Sequence, residues 1–185
     1  MALNDLRWPD YELPKPLYLD KLYCMPIVDT TYELTDYELE RHKPMPSFNH
    51  AILQGNINFH LNLHYRNKFR FLPELHIQLL EKPDAVPDIS IYPILDVDFL
   101  HDIPVMTEKP MTVIEIMSPS QSNDDMLSRF ERYFNAGIKS CWLVMPSLKA
   151  VVVYSNLDSY VFYSADMLLK DEILGIELTL SEIFK

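Results

Sequence analysis

The segment from Thr112 to Pro146 contains two apolar runs that flank one amphipathic stretch. The first run is TVIEIM, and the second is SCWLVMP, which begins at Ser140. Between them, DDMLSRFERYFNAGI carries apolar residues at helical spacing, and Gly137 follows where a C-terminal cap is expected. A strand, a helix and a strand in this order predict two parallel neighbouring strands joined by a right-handed crossover. This unit indicates an α/β fold.

The rest of the chain predicts one earlier helix and further strands. Ser47 can cap a helix that runs through FNHAILQGNINFHLNLHY. The short segments KFRFL, ELHIQLL and DISIYP are typical of strands, and AVVVYS and SYVFYS predict a strand pair towards the C-terminus. A short helix is expected around residues 180–185. This order predicts a mixed central sheet flanked by helices.

The length of 185 residues suits one domain with an extension. Residues 1–31 hold several prolines and no sustained period, which predicts an N-terminal arm before a domain over residues 32–185. The two cysteines form neither a disulfide framework nor a zinc spacing. We see no signal peptide and no apolar run of the ~18 residues that a membrane span needs. A cytoplasmic protein without membrane association is therefore expected.

Glu115 is the one carboxylate inside the apolar run TVIEIM. Strand alternation places it on the same face as Val113 and Met117, and Asp88 begins the preceding predicted strand. Two carboxylates that neighbouring strands bring together repel each other unless a cation lies between them. Oxygen ligands suit Mg²⁺, which can activate water and offset charge on a phosphoryl group. The alternative is that Glu115 pairs with an arginine or a lysine across the core.

The net charge of −11 argues against broad, non-specific attraction to nucleic acid. Within this acidic chain, residues 41–76 are locally basic. The bases of this stretch are Arg41, Lys43, Arg66, Lys68 and Arg70. They either hold a nucleic-acid backbone or are solvated side chains around one helix. The nearby His50, His60 and His64 resemble no zinc motif in their spacing, and a histidine in a helix is more often structural.

Three segments carry a resemblance to a known family. VPDISIYP, MTVIEIMSPSQSNDDMLSRFERYFNAGIKSCWLVMP and AVVVYS resemble the Uma2 family, also described as DUF820 restriction endonucleases. The upstream YELTDYELERHKPMPSFNHAILQGNINFHL is similar to the start of that family, and the resemblance spans roughly residues 31–164. It implies the restriction-endonuclease-like PD-(D/E)XK fold with an αβββαβ core. It also implies hydrolysis of phosphodiester bonds in DNA with Mg²⁺ or Mn²⁺.

The resemblance assigns roles to individual residues. Asp88 and Glu115 match the two acids of the nuclease motif and would bind the metal, with the main-chain carbonyl of Ile116 as a further ligand. Glu74 is a candidate third ligand through water. The five bases of residues 41–76 would contact the DNA backbone. A two-fold homodimer would suit the cutting of both strands of a duplex.

The lysine of the motif is where this chain departs from the family. Met117 stands two residues after Glu115, where the nuclease motif has lysine. Uma2 proteins generally carry a lysine on the following helix, in a pattern like D-x-x-x-K-x-x-x-Y, and the matching residues here are Asp125, Arg129 and Tyr133. Arginine can clamp a phosphate but cannot act as a base, and it could equally form an ion pair with Asp125 or Glu115.

Two hypotheses of function follow from this departure. The first is a metal-dependent DNA endonuclease in which Arg129 contacts the scissile phosphate. The alternative is a catalytically degenerate nuclease-fold protein that serves as an interaction or assembly module. Cleavage of DNA and uptake of metal distinguish the two.

Overall fold

The computed structural model of the protein describes residues 47–119 and 121–185. The predicted N-terminal arm, Arg41 and Lys43 lie outside the described residues, so the predicted division at residue 31 stays a prediction. The elements in chain order are α1 (Phe48–Tyr65), β1 (Phe69–Pro73), β2 (Ile89–Pro93), β3 (Thr112–Ile116), α2 (Asn123–Asn135), β4 (Ser140–Met145), a 3₁₀ turn (Pro146–Leu148), β5 (Ala150–Asn156), β6 (Ser159–Ser164), β7 (Leu168–Asp171), β8 (Ile176–Thr179) and α3 (Leu180–Ile183).

A six-stranded mixed sheet forms the centre of the described region, with the strands in sequence order from β1 to β6. Strands β3 and β4 are parallel, and every other neighbouring pair in this sheet is antiparallel. Helix α2 connects β3 to β4 as the strand–helix–strand pattern predicts, so the αβββαβ core is confirmed. Strands β5 and β6 form the predicted late pair. A separate antiparallel pair, β7 and β8, was not predicted from the sequence.

The sheet separates two apolar layers. On one face, α1 packs through Leu53, Ile57 and Leu61, together with α3 and the β7–β8 pair. On the other face, α2 packs through a buried stripe with three members: Met126, Phe130 and Tyr133. Alternation along β3 sends Ile114 into the first layer and Val113 into the second, which confirms the face predicted for Val113. Each large apolar side chain buried in this way contributes roughly 1.5–3 kcal/mol to folding.

The strand predicted over Glu74–Leu80 is wrong. Glu74 has a φ of 54°, which ends the extended chain directly after β1. Beyond it, only isolated bridges form, from Ile77 to Ala85 and to Met106. The N–H of Leu79 donates to the Asp84 carboxylate at 3.1 Å. This alternating sequence therefore forms a loop, because the Asp84 side chain accepts the Leu79 N–H that would otherwise donate to a neighbouring strand.

The predicted start of α1 and the predicted end of α2 agree with the structure. The Ser47 hydroxyl accepts a hydrogen bond from the N–H of His50 at 3.3 Å and caps α1. Helix α2 ends at Asn135, and Gly137 then adopts a φ of 95°, where glycine is favoured. Neither these helices nor any other in the described residues has the length and apolar character that crossing a bilayer requires.

Candidate active site between strands β2 and β3

Asp88 and Glu115 lie at the adjoining ends of two antiparallel strands. Ile89 and Ile114 are the last pair in the register of β2 and β3, and Asp88 and Glu115 are the residues next to that pair. The main-chain N–H of Ile116 donates to Asp88 Oδ2 at 2.6 Å. Asp88 is 2% exposed and Glu115 is 1% exposed. Two acids that are distant in the sequence are thus both buried at the same end of neighbouring strands.

Helix α1 supplies a histidine to this pair. His50 Nε2 lies 3.2 Å from Asp88 Oδ2, and the imidazole is buried. The Ser47 cap begins the helix three residues earlier, and His50 takes the first place in the buried stripe that continues with Leu53 and Ile57. The packing of α1 therefore directs His50 at the end of β2. The sequence drew attention to His50 without giving it a role.

Gln54 extends the contacts of α1 by one turn. Its side-chain amide donates to the Asp88 carbonyl at 2.9 Å and to Glu74 Oε1 at 3.1 Å. The N–H of Glu74 also donates to the Asp88 carbonyl, at 3.3 Å. Glu74 thus lies beside the main chain of Asp88 and is exposed at the surface. Its role as a metal ligand stays a prediction.

Helix α2 contacts the other acid through two side chains. Arg129 Nη1 donates to Glu115 Oε2 at 3.3 Å, and the Tyr133 hydroxyl donates to Glu115 Oε1 at 2.6 Å. Their spacing of four residues places both on one face of the helix, as the D-x-x-x-R-x-x-x-Y pattern indicates. The ion pair between Arg129 and Glu115 is the pairing that the sequence left open as an alternative to contact with phosphate.

Asp125, the first member of that pattern, serves the start of the helix. It forms a capping box with Ser122, whose hydroxyl donates to Asp125 Oδ2 at 2.6 Å. The hydrogen bonds from the Ser122 side chain and main chain lower the pKa of Asp125, and the charge of Arg129 lowers it further. Asp125 therefore stabilises α2 in the position from which Arg129 and Tyr133 reach Glu115.

The chemistry of these side chains fits a divalent cation. Each carboxylate oxygen has two acceptor positions, so the hydrogen bonds from Arg129 and Tyr133 are compatible with metal binding by Glu115. Buried carboxylates that face each other gain stability from a cation between them. Oxygen donors with space for water are the ligands of Mg²⁺ and Mn²⁺.

A cleft of about 320 Å³ opens at the same end of the sheet. Its lining consists of Ser47, Asn49, Met117, Ser118, Pro119, Gln121, Pro146 and Ser147. A second cleft shares Asn49 and Pro146 with it and continues to Lys149 and Lys185, both exposed. The first turn of α1 also presents N–H groups here, and such groups attract anions. This end of the sheet therefore offers two lysine side chains and helix N–H groups to an anion.

The predicted nucleic-acid-binding bases that the structure describes lie elsewhere. Arg66, Lys68 and Arg70 lie after the C-terminal end of α1 and at the start of β1. Arg66 is sixteen residues from His50, or roughly 24 Å along the helix axis. The structure does not bring these bases to Asp88 and Glu115. Lys149 lies at the same end of the sheet as the two acids, and nothing in its local sequence distinguishes it from an ordinary surface lysine.

The comparisons with known proteins agree with this fold. The family model Uma2, described as "putative restriction endonuclease", matches residues 19–181. No curated protein matches the chain. Among solved structures, a "putative nuclease belonging to DUF820" from Anabaena variabilis ATCC 29413 has a TM-score of 0.65 and 23% identity, over 76% of this chain and 83% of that one. This second likeness concerns the fold. Because the family model covers most of its length, the chain belongs to the Uma2 family of restriction-endonuclease-like proteins.

Proposed function

We propose that this protein is a divalent-metal-dependent endonuclease that hydrolyses phosphodiester bonds in DNA. The observation that supports this most directly is the placement of Asp88 and Glu115. They are both buried at the adjoining ends of β2 and β3, at the end of the sheet where an open cleft lies. Mg²⁺ is the expected ion and Mn²⁺ the expected substitute. When bound, the metal ion would act as a Lewis acid that favours ionisation of water and offsets charge on the phosphoryl group.

The other side chains position the two acids and the substrate. His50 and the Ile116 N–H hold Asp88 Oδ2, and Tyr133 holds Glu115 Oε1. The Arg129 side chain is 18% exposed, which gives it access to solvent, and thus to an incoming phosphate, as well as to Glu115. Arginine binds phosphate in a bidentate manner and stays protonated, so its role is electrostatic. A proton leaving water must therefore pass to another group or to solvent.

The substrate would approach through the two neighbouring clefts. Positive charge is available there from Lys149, Lys185 and the first turn of α1. A protein of net charge −11 needs such a local positive region to attract DNA. Arg66, Lys68 and Arg70 could then contact the same duplex roughly seven base pairs away, at ~3.4 Å per base pair. A cytoplasmic homodimer that presents two such sites would cut both strands, and gel filtration with light scattering tests this assembly.

A second candidate function is an interaction or assembly module on the same fold. The observation that favours it is the ion pair of Arg129 with Glu115, together with Met117, which packs in the α2-side layer where the motif has lysine. In this case, the pair neutralises Glu115 in place of a metal. Mn²⁺ uptake that does not depend on Asp88 and Glu115 would favour this candidate.

A cleavage assay decides between the two functions. Supercoiled plasmid, linear duplex, single-stranded and branched DNA are incubated with the protein in Mg²⁺ or Mn²⁺, with a chelator as the blank. We expect cleavage by the wild-type protein and by E131Q, a matched control in which an exposed acid of α2 is changed. We expect none by E115Q or D88N. Intact DNA in every wild-type reaction, or equal cleavage by E115Q, would contradict the proposed function.

A further inference from the structure

Three potential metal ligands converge on the surface of the α1-side layer. His60 and His64 lie one turn apart on α1, and Glu182 belongs to α3. One ligand atom from each residue lies within 4.8 Å of the other two. The two imidazole rings are stacked, with centroids 6.4 Å apart. The sequence suggested structural histidines, because a glutamate 118 residues further along the chain could not be seen as their neighbour.

The packing of α3 against α1 places Glu182 near His60 and His64. Leu180 and Ile183 of α3 are fully buried in the α1-side layer. The side-chain amide of Asn56, one turn before His60, donates to the Ile183 carbonyl at 2.9 Å. Glu182 is therefore held beside the helix by its neighbours in the chain, while its own side chain remains 39% exposed and able to adjust.

One ring nitrogen of His60 lacks a hydrogen-bond partner among the described residues. This atom, Nδ1, is buried. Glu182 Oε2 lies 3.9 Å from that nitrogen, too far for a hydrogen bond. Two ligands of one tetrahedral zinc ion stand roughly 3.3 Å apart. A small rotation of the Glu182 side chain would bring the pair to that separation.

We propose that His60, His64 and Glu182 form a second metal site, which takes Zn²⁺ or a similar transition-metal ion. Two imidazole nitrogens and one carboxylate oxygen select such ions over Mg²⁺, in contrast to the oxygen ligands of Asp88 and Glu115. Three protein ligands leave one position for water. The ion joins α3 to α1 and stabilises the C-terminal end of the domain.

Zinc titration of the untagged full chain tests the site. The protein is stripped with chelator, and Zn²⁺ is added in saturating Mg²⁺ and followed by calorimetry. We expect H64A to weaken one zinc-binding event at least tenfold, and E182Q to weaken the same event. His101, an exposed histidine paired with Asp98, provides the matched control H101A, which should bind zinc as the wild type does.

Thermal unfolding gives an independent result. Zn²⁺ should raise the unfolding midpoint of the wild type and of H101A, but not that of H64A. Because His64 is exposed, H64A should fold and keep its Mg²⁺-dependent properties, so this test does not depend on nuclease activity. Equal zinc affinity in H64A and the wild type, or no uptake by the wild type, would overturn the proposal.

Discussion

Asp171 and Glu115 are buried to the same degree, each 1% exposed, on opposite faces of the sheet. Asp171 Oδ2 accepts hydrogen bonds from Ser140 and Trp142, both at 2.7 Å. Its Oδ1 accepts from two main-chain N–H groups, those of residues 173 and 174. Four neutral donors therefore fill the four acceptor positions of this carboxylate.

Glu115 has different surroundings. Arg129 and Tyr133 donate hydrogen bonds to it, and a second buried acid, Asp88, lies at the adjoining end of the neighbouring strand. Burial alone therefore does not distinguish a metal ligand from a structural acid. A saturated carboxylate such as Asp171 organises its neighbours, whereas a carboxylate that faces another one has a use for a cation.

The largest expected difference between the two acids is in metal affinity. We expect E115Q to weaken Mn²⁺ binding by about 1000-fold, or ~4 kcal/mol, because a carboxylate ligand and its charge are both lost. D171N, an equally conservative change, should leave the affinity within about threefold, because that carboxylate has no capacity for a metal. Calorimetric titration with Mn²⁺ measures both. Equal weakening in the two variants would show that burial, and not the partners, decides the effect.

The same two variants should reverse their order in stability. D171N places an amide N–H₂ against donors that need an acceptor, so we expect a loss of about 3 kcal/mol in the free energy of unfolding. E115Q should lower the free energy of unfolding by only about 1 kcal/mol. It breaks the ion pair with Arg129, whose side chain can turn to solvent, but it also removes the repulsion between Glu115 and Asp88. Urea denaturation measures both values. A cost for E115Q as large as that for D171N would remove the distinction between the two acids.

Arg129 tests whether the partner of Glu115 also serves the reaction. We expect R129A to lower the rate of DNA cleavage about 100-fold, the size of effect seen when one charge-stabilising donor is lost. R129K should retain more activity, since it keeps the charge but not the bidentate geometry. Single-turnover cleavage rates measure the effect, and R132A provides a matched loss of an arginine in α2. An R129A rate equal to that of the wild type would limit Arg129 to a structural ion pair.

The sequence predicted the features that depend on local pattern. Alternation in TVIEIM placed Glu115 on the same face as Val113 and Met117, and this face is the one that Arg129 and Tyr133 of α2 contact. The prediction from sequence failed where a contact with a residue elsewhere in the chain determines the local structure or the role of a side chain. Asp84 turns the alternating ELHIQLL into a loop, and His50 gains its role only when α1 packs against the end of β2. Asp171 was not identified, because the two side chains that donate to it, Ser140 and Trp142, lie about thirty residues earlier in the chain.

The smallest expected effects come from removing one hydroxyl donor from each acid. Y133F removes the hydrogen bond to Glu115, and S140A removes the one to Asp171. A hydrogen bond to a charged group contributes about 1.5–3 kcal/mol, so both variants should lose about 1.5 kcal/mol of stability. Only Y133F should also lower the cleavage rate, by about tenfold, because it loosens the orientation of a metal ligand. If S140A slowed cleavage equally, the two faces of the sheet would be coupled, and Asp171 would have to be counted among the residues that position the site.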